Sequence, residues 1–259
     1  MSLTSQELIT GFRQAGIESG DHILVHSSLS SLGWVDGGAD AVIDALSDAV
    51  GPAGTVAFPT LTGSPDDSPE NPPVFDARDT KCWTGRIPET ARRRHGAIRS
   101  LHPTHSVAAT GAIAGWLTSG HELVRTPCGF GSPYDKLADV EGKIVLIGVG
   151  QSCNTSFHLA EEVAGVAYVI QDRPMDITFA DMSGNWVLMR DAYLHRPGVR
   201  RDYEAFETAM IEMGMARVGK VGDAEVRVID ATFERAFLVR RLLDDPLATL
   251  ALTEREHWR

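Results

Sequence analysis

The strongest chemical signal in this chain is a histidine that stands close to two glutamates. His158 precedes Glu161 by three residues and Glu162 by four, so on a helix either carboxylate can reach the imidazole. A carboxylate at that distance orients the ring and raises its basicity, which a general base requires. Ordinary ion pairs on helix surfaces have the same spacing. The position directly after an apolar strand favours catalysis, and without an HExxH pattern no metal is expected.

A serine-rich turn is the second candidate. It reads Ser-Ser-Leu-Ser-Ser-Leu-Gly over residues 27–33 and follows a short apolar segment. Loops at the carboxyl ends of strands are where α/β sheets usually bind ligands. Hydroxyl and backbone N–H groups suit a phosphate or pyrophosphate, although a simple polar turn between strand and helix has the same composition. The chain contains neither a P-loop nor a complete dinucleotide fingerprint.

Two further turns give weaker signals. The run His102-Pro103-Thr104-His105-Ser106 is a stiff turn that can hold one ring against a ligand, or that simply leads into a strand. Cys128 lies in a turn rich in glycine and proline. A catalytic thiol needs a base and a lowered pKa, and neither is visible nearby. We therefore interpret Cys128 as a structural thiol.

Composition excludes several classes of protein. The 259 residues are 43% hydrophobic and 23% charged, with a formal net charge of −11, which is typical of a soluble globular chain. The acidic balance disfavours nucleic-acid binding, and no apolar run approaches the roughly 18 residues of a membrane span. Three distant cysteines form no disulfide framework, which favours the cytoplasm. We expect one domain over residues 1–259, and a homo-oligomer is compatible with the sequence.

The charge is unevenly distributed along the chain. Nine acids and one arginine lie between Asp36 and Thr80, whereas five arginines and one glutamate lie between Arg86 and Arg99. Solvated surface of both signs is the usual explanation for such runs. The sharper hypothesis is that two unlike ligands, one anionic and one cationic, meet over the sheet.

Alternating strand and helix patterns must position these residues. A capping box at Thr4 and Glu7 predicts a first helix, and a strand, an amphipathic helix and a second strand follow within about 40 residues, which is the βαβ pattern of an α/β fold. The other predicted elements are strands over 106–110 and 143–148, helices from Pro88 through Arg94, from an Asn154 cap to Ala164, over 203–213 and over 232–243, a hairpin over 175–179 and 186–189, and a proline-rich irregular excursion over 60–81.

Taken in order, these segments resemble the aminoglycoside 3-N-acetyltransferase family, the acyl-CoA-dependent antibiotic acetyltransferases. The resemblance covers nearly the whole chain, and it is specific because six short motifs occur in one order with matching spacing. These motifs are Val25-His26-Ser27-Ser28-Leu29-Ser30-Ser31-Leu32-Gly33, Gly51-Pro52-Ala53-Gly54-Thr55, Pro59-Thr60-Leu61-Thr62-Gly63, His102-Pro103-Thr104-His105-Ser106, Gly131-Ser132-Pro133, and Leu146-Ile147-Gly148-Val149-Gly150 leading to Asn154-Thr155-Ser156-Phe157-His158-Leu159-Ala160-Glu161.

The resemblance implies an α/β fold with a central mixed sheet flanked by helices, plus a small C-terminal hairpin and helices. It implies acetyl-CoA as the donor and an aminoglycoside amine as the acceptor. His158 would deprotonate that amine for attack on the thioester, with Glu161 as its partner. The implied cofactor-binding residues are Ser27, Ser28, Ser30, Ser31, Leu32, Gly33, His102 and Ser106, and the implied acceptor-binding residues are Thr60, Asp66, Asp67, Glu162 and Asp191.

One stretch departs from the family pattern. Family members place a carboxylate followed by His-Cys after the hairpin, whereas this chain has basic residues and a proline between Tyr193 and Arg201. A cation-rich rim at this place would repel a polyamine, so an amino sugar or an aminophosphonate metabolite is the alternative acceptor. Two alternatives come from other classes: a hydrolase that pairs Cys128 or Cys153 with His158, and a non-catalytic binder of small molecules.

Overall fold

The computed structural model, which describes residues 2–258, is built on a mixed sheet. Its strands are β1 (His22–Ser27), β2 (Thr55–Pro59), β3 (Ile98–Arg99), β4 (Val107–Gly111), β5 (Lys143–Ile147), β8 (Ala216–Val221) and β9 (Ala224–Asp230), while β6 (Met175–Ala180) and β7 (Trp186–Ala192) pair separately. The order in the sheet is β3-β4-β2-β1-β5-β9-β8. β1 runs parallel to β2 and β5, and the other neighbours are antiparallel. The α/β class and the mixed sheet are thus confirmed.

Helices cover both faces of this sheet. They are α1 (Ser5–Ala15), α2 (Gly38–Val50), α3 (Arg86–Ala91), α4 (Ala114–Thr118), α5 (Pro133–Asp139), α6 (Ser156–Ala164), α7 (Glu207–Glu212), α8 (Ala231–Asp244) and α9 (Leu252–Arg255). Side chains of β1 alternate between the faces: Ile23 and Val25 pack with α1 and α2, whereas Leu24 packs with α6 and α8. A strand buried on both faces explains the continuous apolar run of its sequence.

Several predicted boundaries shift in the structure. The basic helix is shorter than predicted, because α3 ends at Ala91 and the amides of Arg93 and Arg94 bond three residues back, which tightens the chain into a turn. Helix α6 has Thr155 rather than Asn154 as its N-cap, although the Asn154 side chain accepts the amide of Ser156. The hairpin β8–β9 was not predicted, nor were β3, α4, α5 and α9.

The topology brings the candidate residues to one edge of the sheet. Because β1, β2 and β5 are parallel, their carboxyl ends at Ser27, Pro59 and Ile147 lie side by side, and the loops that follow them meet there. The excursion after β2 packs on the β6–β7 hairpin through a small core of its own. This core consists of Phe75, Ala77, Met175, Ile177, Phe179, Met189, Ala192 and Leu194.

Among the helices of residues 2–258, none combines the length and the apolar character that crossing a membrane requires.

Candidate functional site

His158 lies in a cleft at the carboxyl edge of the sheet. The cleft has a volume of about 350 Å³ and is formed by the ends of β1 and β2, the start of α3 and the loop before α6. It is lined by Val25, His26, Ser27, Pro59, Leu61, Trp83, Thr84, Pro88, His105, Val149, Ser152, Cys153, Asn154, Thr155, His158 and Tyr203. The loops of three parallel strands therefore deliver the imidazole to one concave surface.

The structure pairs His158 with Glu161. The imidazole Nδ1 lies 2.9 Å from Glu161 Oε2, and the two residues are one turn apart on α6. The His158 side chain is 21% exposed, whereas that of Glu161 is fully buried. The imidazole can therefore meet a ligand that the carboxylate cannot reach.

Hydroxyl groups around Glu161 define which nitrogen of His158 carries the proton. Tyr203 donates its hydroxyl proton to Glu161 Oε1 at 3.1 Å, and the same oxygen lies 3.1 Å from His158 Nδ1. Because the hydroxyl has only one proton, its oxygen accepts from Nδ1–H. Thr249 also donates to Glu161, at 2.7 Å, and Tyr168 supplies a hydroxyl to Thr249 at 2.7 Å. This network selects the tautomer whose Nε2 has a free lone pair.

Glu161 is held as a carboxylate by its surroundings. Arg201 Nε lies 3.1 Å from Glu161 Oε2 and 3.2 Å from Oε1, and its side chain is 12% exposed. Burial raises the pKa of Glu161, but the hydrogen bonds and charges of His158, Arg201 and Thr249 outweigh burial, so the net pKa lies below its usual range. A charged carboxylate behind the imidazole stabilises the imidazolium that forms when the ring takes up a proton.

Glu162 points elsewhere and carries a different charge. Its Oε1 accepts the backbone amide of Cys128 at 2.9 Å and lies 2.6 Å from Nε2 of His195. Burial raises the pKa of Glu162 to about 8, so at neutral pH this carboxyl group is largely protonated. Of the two glutamates that spacing allowed, Glu161 contacts His158.

The histidine turn divides between the cleft and the interior. The ring of His102 is fully buried, and its Nδ1 accepts the amides of Thr104 at 3.2 Å and His105 at 3.0 Å. His105 lines the cleft. Ser106 and Thr60 are also fully buried and share a hydrogen bond of 2.9 Å between their hydroxyls. Of the turn's two rings, the structure places His105 rather than His102 on the cleft.

The serine-rich turn borders a groove of about 760 Å³ that adjoins the cleft at Ser27. The groove is lined by Ser27, Ser28, Leu29, Ser30, Gly33, Trp34, Val35, Asp36, Gly37, Gly38, Gly85 and Arg86. Ser31 instead donates to the carbonyl of Ser28, and the Leu32 side chain is buried in the core. Within residues 2–258, Arg86 has no ion pair with a carboxylate. A positive charge is therefore free at the rim of this groove.

Gly148 allows the serine-rich turn to approach β5. Its φ is +61°, and a Cβ atom built there would lie 1.7 Å from Ser31 Oγ. Glycine adopts this backbone conformation without steric cost, so the turn can close against the strand end.

The predicted acidic side chains of the acceptor side do not line the cleft. Asp67 is buried and accepts the amide of Ser64 at 2.8 Å, while Asp66 is exposed. Asp191 stands at the end of β7, with its side chain 65% exposed, and pairs with Arg125 at 3.5 Å. The excursion thus uses Asp67 to close a turn rather than to face His158.

The predicted cation-rich rim between Tyr193 and Arg201 is wrong. Arg196 pairs with Asp172, Arg200 with Glu254, and Arg201 with Glu161. Each arginine is therefore neutralised by a carboxylate that is distant in sequence, and this stretch gives no reason to exclude a polyamine.

Neither cysteine proposed for a hydrolase has the character of a nucleophile. Cys128 is fully buried, and burial raises its pKa well above the usual range. Cys153 lies in the cleft, but burial raises its pKa as well. A nucleophilic cysteine needs the opposite shift, so the hydrolase alternative loses its chemical basis.

Several important side chains were not assigned to the site from sequence. Arg201, Tyr203 and Thr249 come from the segment after the hairpin, 40 to 88 residues beyond Glu161 along the chain. No local pattern marks them, since only the fold brings them to the carboxylate. His195, which stood in the stretch that departs from the family pattern, stacks on His158 with ring centroids 4.3 Å apart.

Comparisons with known proteins agree on one family. The family model described as aminoglycoside 3-N-acetyltransferase matches residues 24–242. Aminoglycoside N(3)-acetyltransferase III from Salmonella sp is 31% identical over 273 residues, covering 94% of this chain and 94% of that protein. A solved structure of AAC-IIIb as a binary complex with CoASH has a TM-score of 0.82 at 29% identity and covers 94% of this chain and 97% of its own. A histidine-to-alanine mutant of AAC(3)-IVa in complex with a gentamicin has a TM-score of 0.84 at 28% identity, covering 99% of this chain and 94% of its own.

Proposed function

Because this chain belongs to the aminoglycoside 3-N-acetyltransferase family of acyltransferases, we propose that it transfers the acetyl group of acetyl-CoA to the 3-amino group of an aminoglycoside, with His158 as the general base. The observation that carries this proposal is the pairing of His158 with buried Glu161 at 2.9 Å inside the cleft. A base of this kind must be within reach of the reacting group and held in the correct tautomer.

The reaction needs one proton to be removed while one bond forms and another breaks. The lone pair of His158 Nε2 takes the proton from the acceptor nitrogen as that nitrogen bonds to the thioester carbon. The carbon–sulfur bond then breaks, and the CoA thiolate leaves and takes up a proton. Glu161, fixed by Arg201, Tyr203 and Thr249, stabilises the positive imidazolium and prevents the ring from turning.

The serine-rich groove is suited to hold CoA. It joins the cleft at Ser27, so a ligand that lies in the groove can extend one end toward His158. Hydroxyl groups of Ser28 and Ser30 and the free charge of Arg86 line it. These are the groups that bind phosphate oxygens, and the exposed ring of Trp34, 76% accessible, offers a flat apolar surface beside them.

A second acceptor class is favoured by one observation. The residues that line the cleft include no carboxylate, within the part of the chain that the structure describes. An aminoglycoside carries several ammonium groups, and acidic side chains would be the natural partners for them. A less charged amine, such as an amino sugar or an aminophosphonate, would need fewer such partners.

Incubation of the protein with acetyl-CoA and a panel of amines distinguishes these possibilities. The panel contains gentamicin, sisomicin, a simple amino sugar and an aminophosphonate, and both free CoA and the mass of each acceptor are measured. We expect CoA release that depends on the aminoglycoside, with one acetyl group added to it at the 3-amino position. Acetylation of the amino sugar or aminophosphonate alone would establish the second acceptor class. CoA release without any acetylated amine would contradict the transferase proposal.

A further inference from the structure

Three side chains beside the cleft bring together ligand types that thiophilic metal ions prefer. A ring nitrogen of His105, the sulfur of Cys128 and a ring nitrogen of His195 all lie within 4.8 Å of one another. Imidazole nitrogen and thiolate sulfur are the usual ligands of Zn²⁺ in proteins. Nothing in the acetyl-transfer chemistry uses Cys128, so the position of its thiol calls for a separate explanation.

Both imidazoles are held from outside the cluster by hydrogen bonds. His195 Nε2 lies 2.6 Å from Glu162 Oε1, and His105 Nδ1 lies 2.9 Å from Thr104 Oγ1. Among the described residues, the other nitrogen of each ring, Nδ1 in His195 and Nε2 in His105, has no hydrogen-bond partner. Histidines that bind metals usually have their second nitrogen fixed by a carboxylate or a similar group, so this is the arrangement a metal site needs.

Glu162 links two of the three ligands. Its Oε1 accepts the backbone amide of Cys128 at 2.9 Å as well as facing His195. Burial lowers the pKa of both histidines well below the usual range, so both rings are neutral at physiological pH. Neutral imidazole is the form that coordinates a metal.

The distances and the access route fit an ion of this kind. Bonds of about 2.0–2.1 Å to nitrogen and 2.3 Å to sulfur place tetrahedral ligand atoms roughly 3.5 Å apart. The three ligand atoms therefore need to close by about 1 Å, which small rotations of the side chains supply. His105 lines the cleft, so an ion can enter from there, and solvent can fill a fourth position.

We propose that His105, Cys128 and His195 form a binding site for a thiophilic divalent cation, Zn²⁺ above all. The site is distinct from the His158–Glu161 pair but adjoins it, because the rings of His195 and His158 have centroids 4.3 Å apart.

Co²⁺ is a suitable probe, because a cobalt–thiolate bond gives a charge-transfer absorption band that histidine ligands alone do not give. The untagged full-length protein is titrated with Co²⁺ under reducing conditions. We expect the band to saturate at one ion per chain and to disappear when Zn²⁺ displaces the cobalt. A protein that shows no such band would overturn the proposal.

Two variants and a control assign the ligands. Cys128→Ser is expected to abolish the band, whereas Cys82→Ser, which removes a thiol outside the cluster, should keep it. Circular dichroism confirms that each variant is folded. If Cys128→Ser does not fold, His105→Ala tests the site with the thiol intact, and we expect its Co²⁺ affinity to fall by about tenfold or more. A band that survives in Cys128→Ser, or unchanged affinity in His105→Ala, contradicts the assignment.

Discussion

Replacing Glu161 by glutamine tests the network behind the imidazole. The two oxygens of Glu161 accept hydrogen bonds from His158, Arg201, Tyr203 and Thr249 at 2.7–3.2 Å. An amide provides one acceptor oxygen instead of two and no charge. The two hydroxyls can rotate to accept from the new NH₂ group, but the guanidinium of Arg201 cannot.

The expected losses follow from these contacts. Arg201 is left as a buried charge without a partner, which costs about 3–5 kcal/mol in the free energy of unfolding. If the amide NH₂ turns toward His158, Nδ1 must accept and the proton moves to Nε2, so the ring no longer acts as a base. Inversion of a tautomer in this way lowers kcat by about 10²–10⁴.

The matched control is Glu162→Gln. Glu162 is as deeply buried and is next along the helix, but its pKa of about 8 means that it is largely uncharged at pH 7. Glutamine keeps the carbonyl oxygen that accepts the amide of Cys128, so we expect the free energy of unfolding to change by less than about 1 kcal/mol.

The assays are urea unfolding at pH 7 and steady-state acetyl transfer at a temperature where both variants are folded. The reasoning is refuted if Glu161→Gln keeps the stability and the kcat of the wild-type protein. It is equally refuted if Glu162→Gln loses as much stability as Glu161→Gln.

Three further predictions concern the donor groove and the buried acids. Arg86→Ala should raise the KM for acetyl-CoA by about tenfold through the loss of one charge-assisted hydrogen bond, while Arg190→Ala, on the hairpin, should not; equal KM values for the two variants would remove Arg86 from the groove's function. Gly148→Ala should destabilise the protein by about 1–2 kcal/mol and raise the same KM, because its φ of +61° and the contact with Ser31 leave no room for a Cβ; wild-type values would show that the turn adapts. Burial raises the pKa of Glu234 to about 8 from 4.5, so the unfolded chain binds fewer protons than the folded one between these pH values, and stability falls as pH rises through this window by at most about 5 kcal/mol. Glu234→Gln should flatten that part of the curve of unfolding free energy against pH, and parallel curves for variant and wild type would contradict the shift.

Local patterns predicted the parts of the fold in which neighbouring residues decide the outcome. The capping box at Thr4 and the alternating strand β1 are examples, because the hydrogen bonds and the buried faces involve nearby residues. The hairpin β8–β9 also had a local signal, the turn Gly222-Asp223 between segments rich in valine, which predicts a two-residue hairpin loop. The charged residues of these strands concealed it.

The candidate site was less accessible to sequence reasoning. Spacing alone brought His158 and Glu161 together, since three residues on a helix fix their distance. Arg201 was interpreted as part of a basic rim because its partner, Glu161, is 40 positions away. Tyr203 and Thr249 had no signal for the same reason: their contact with Glu161 exists only once the sheet and α6 are assembled.

The most direct test of the account is acetyl transfer by the variant His158→Ala, measured together with its affinity for CoA. General-base catalysis predicts a fall in kcat of about 10²–10⁴, while CoA binding, measured by calorimetry, stays near the wild-type value because the groove is unchanged. A variant that acetylates its amine at a rate within about tenfold of the wild-type rate would contradict the assignment of His158 as the base.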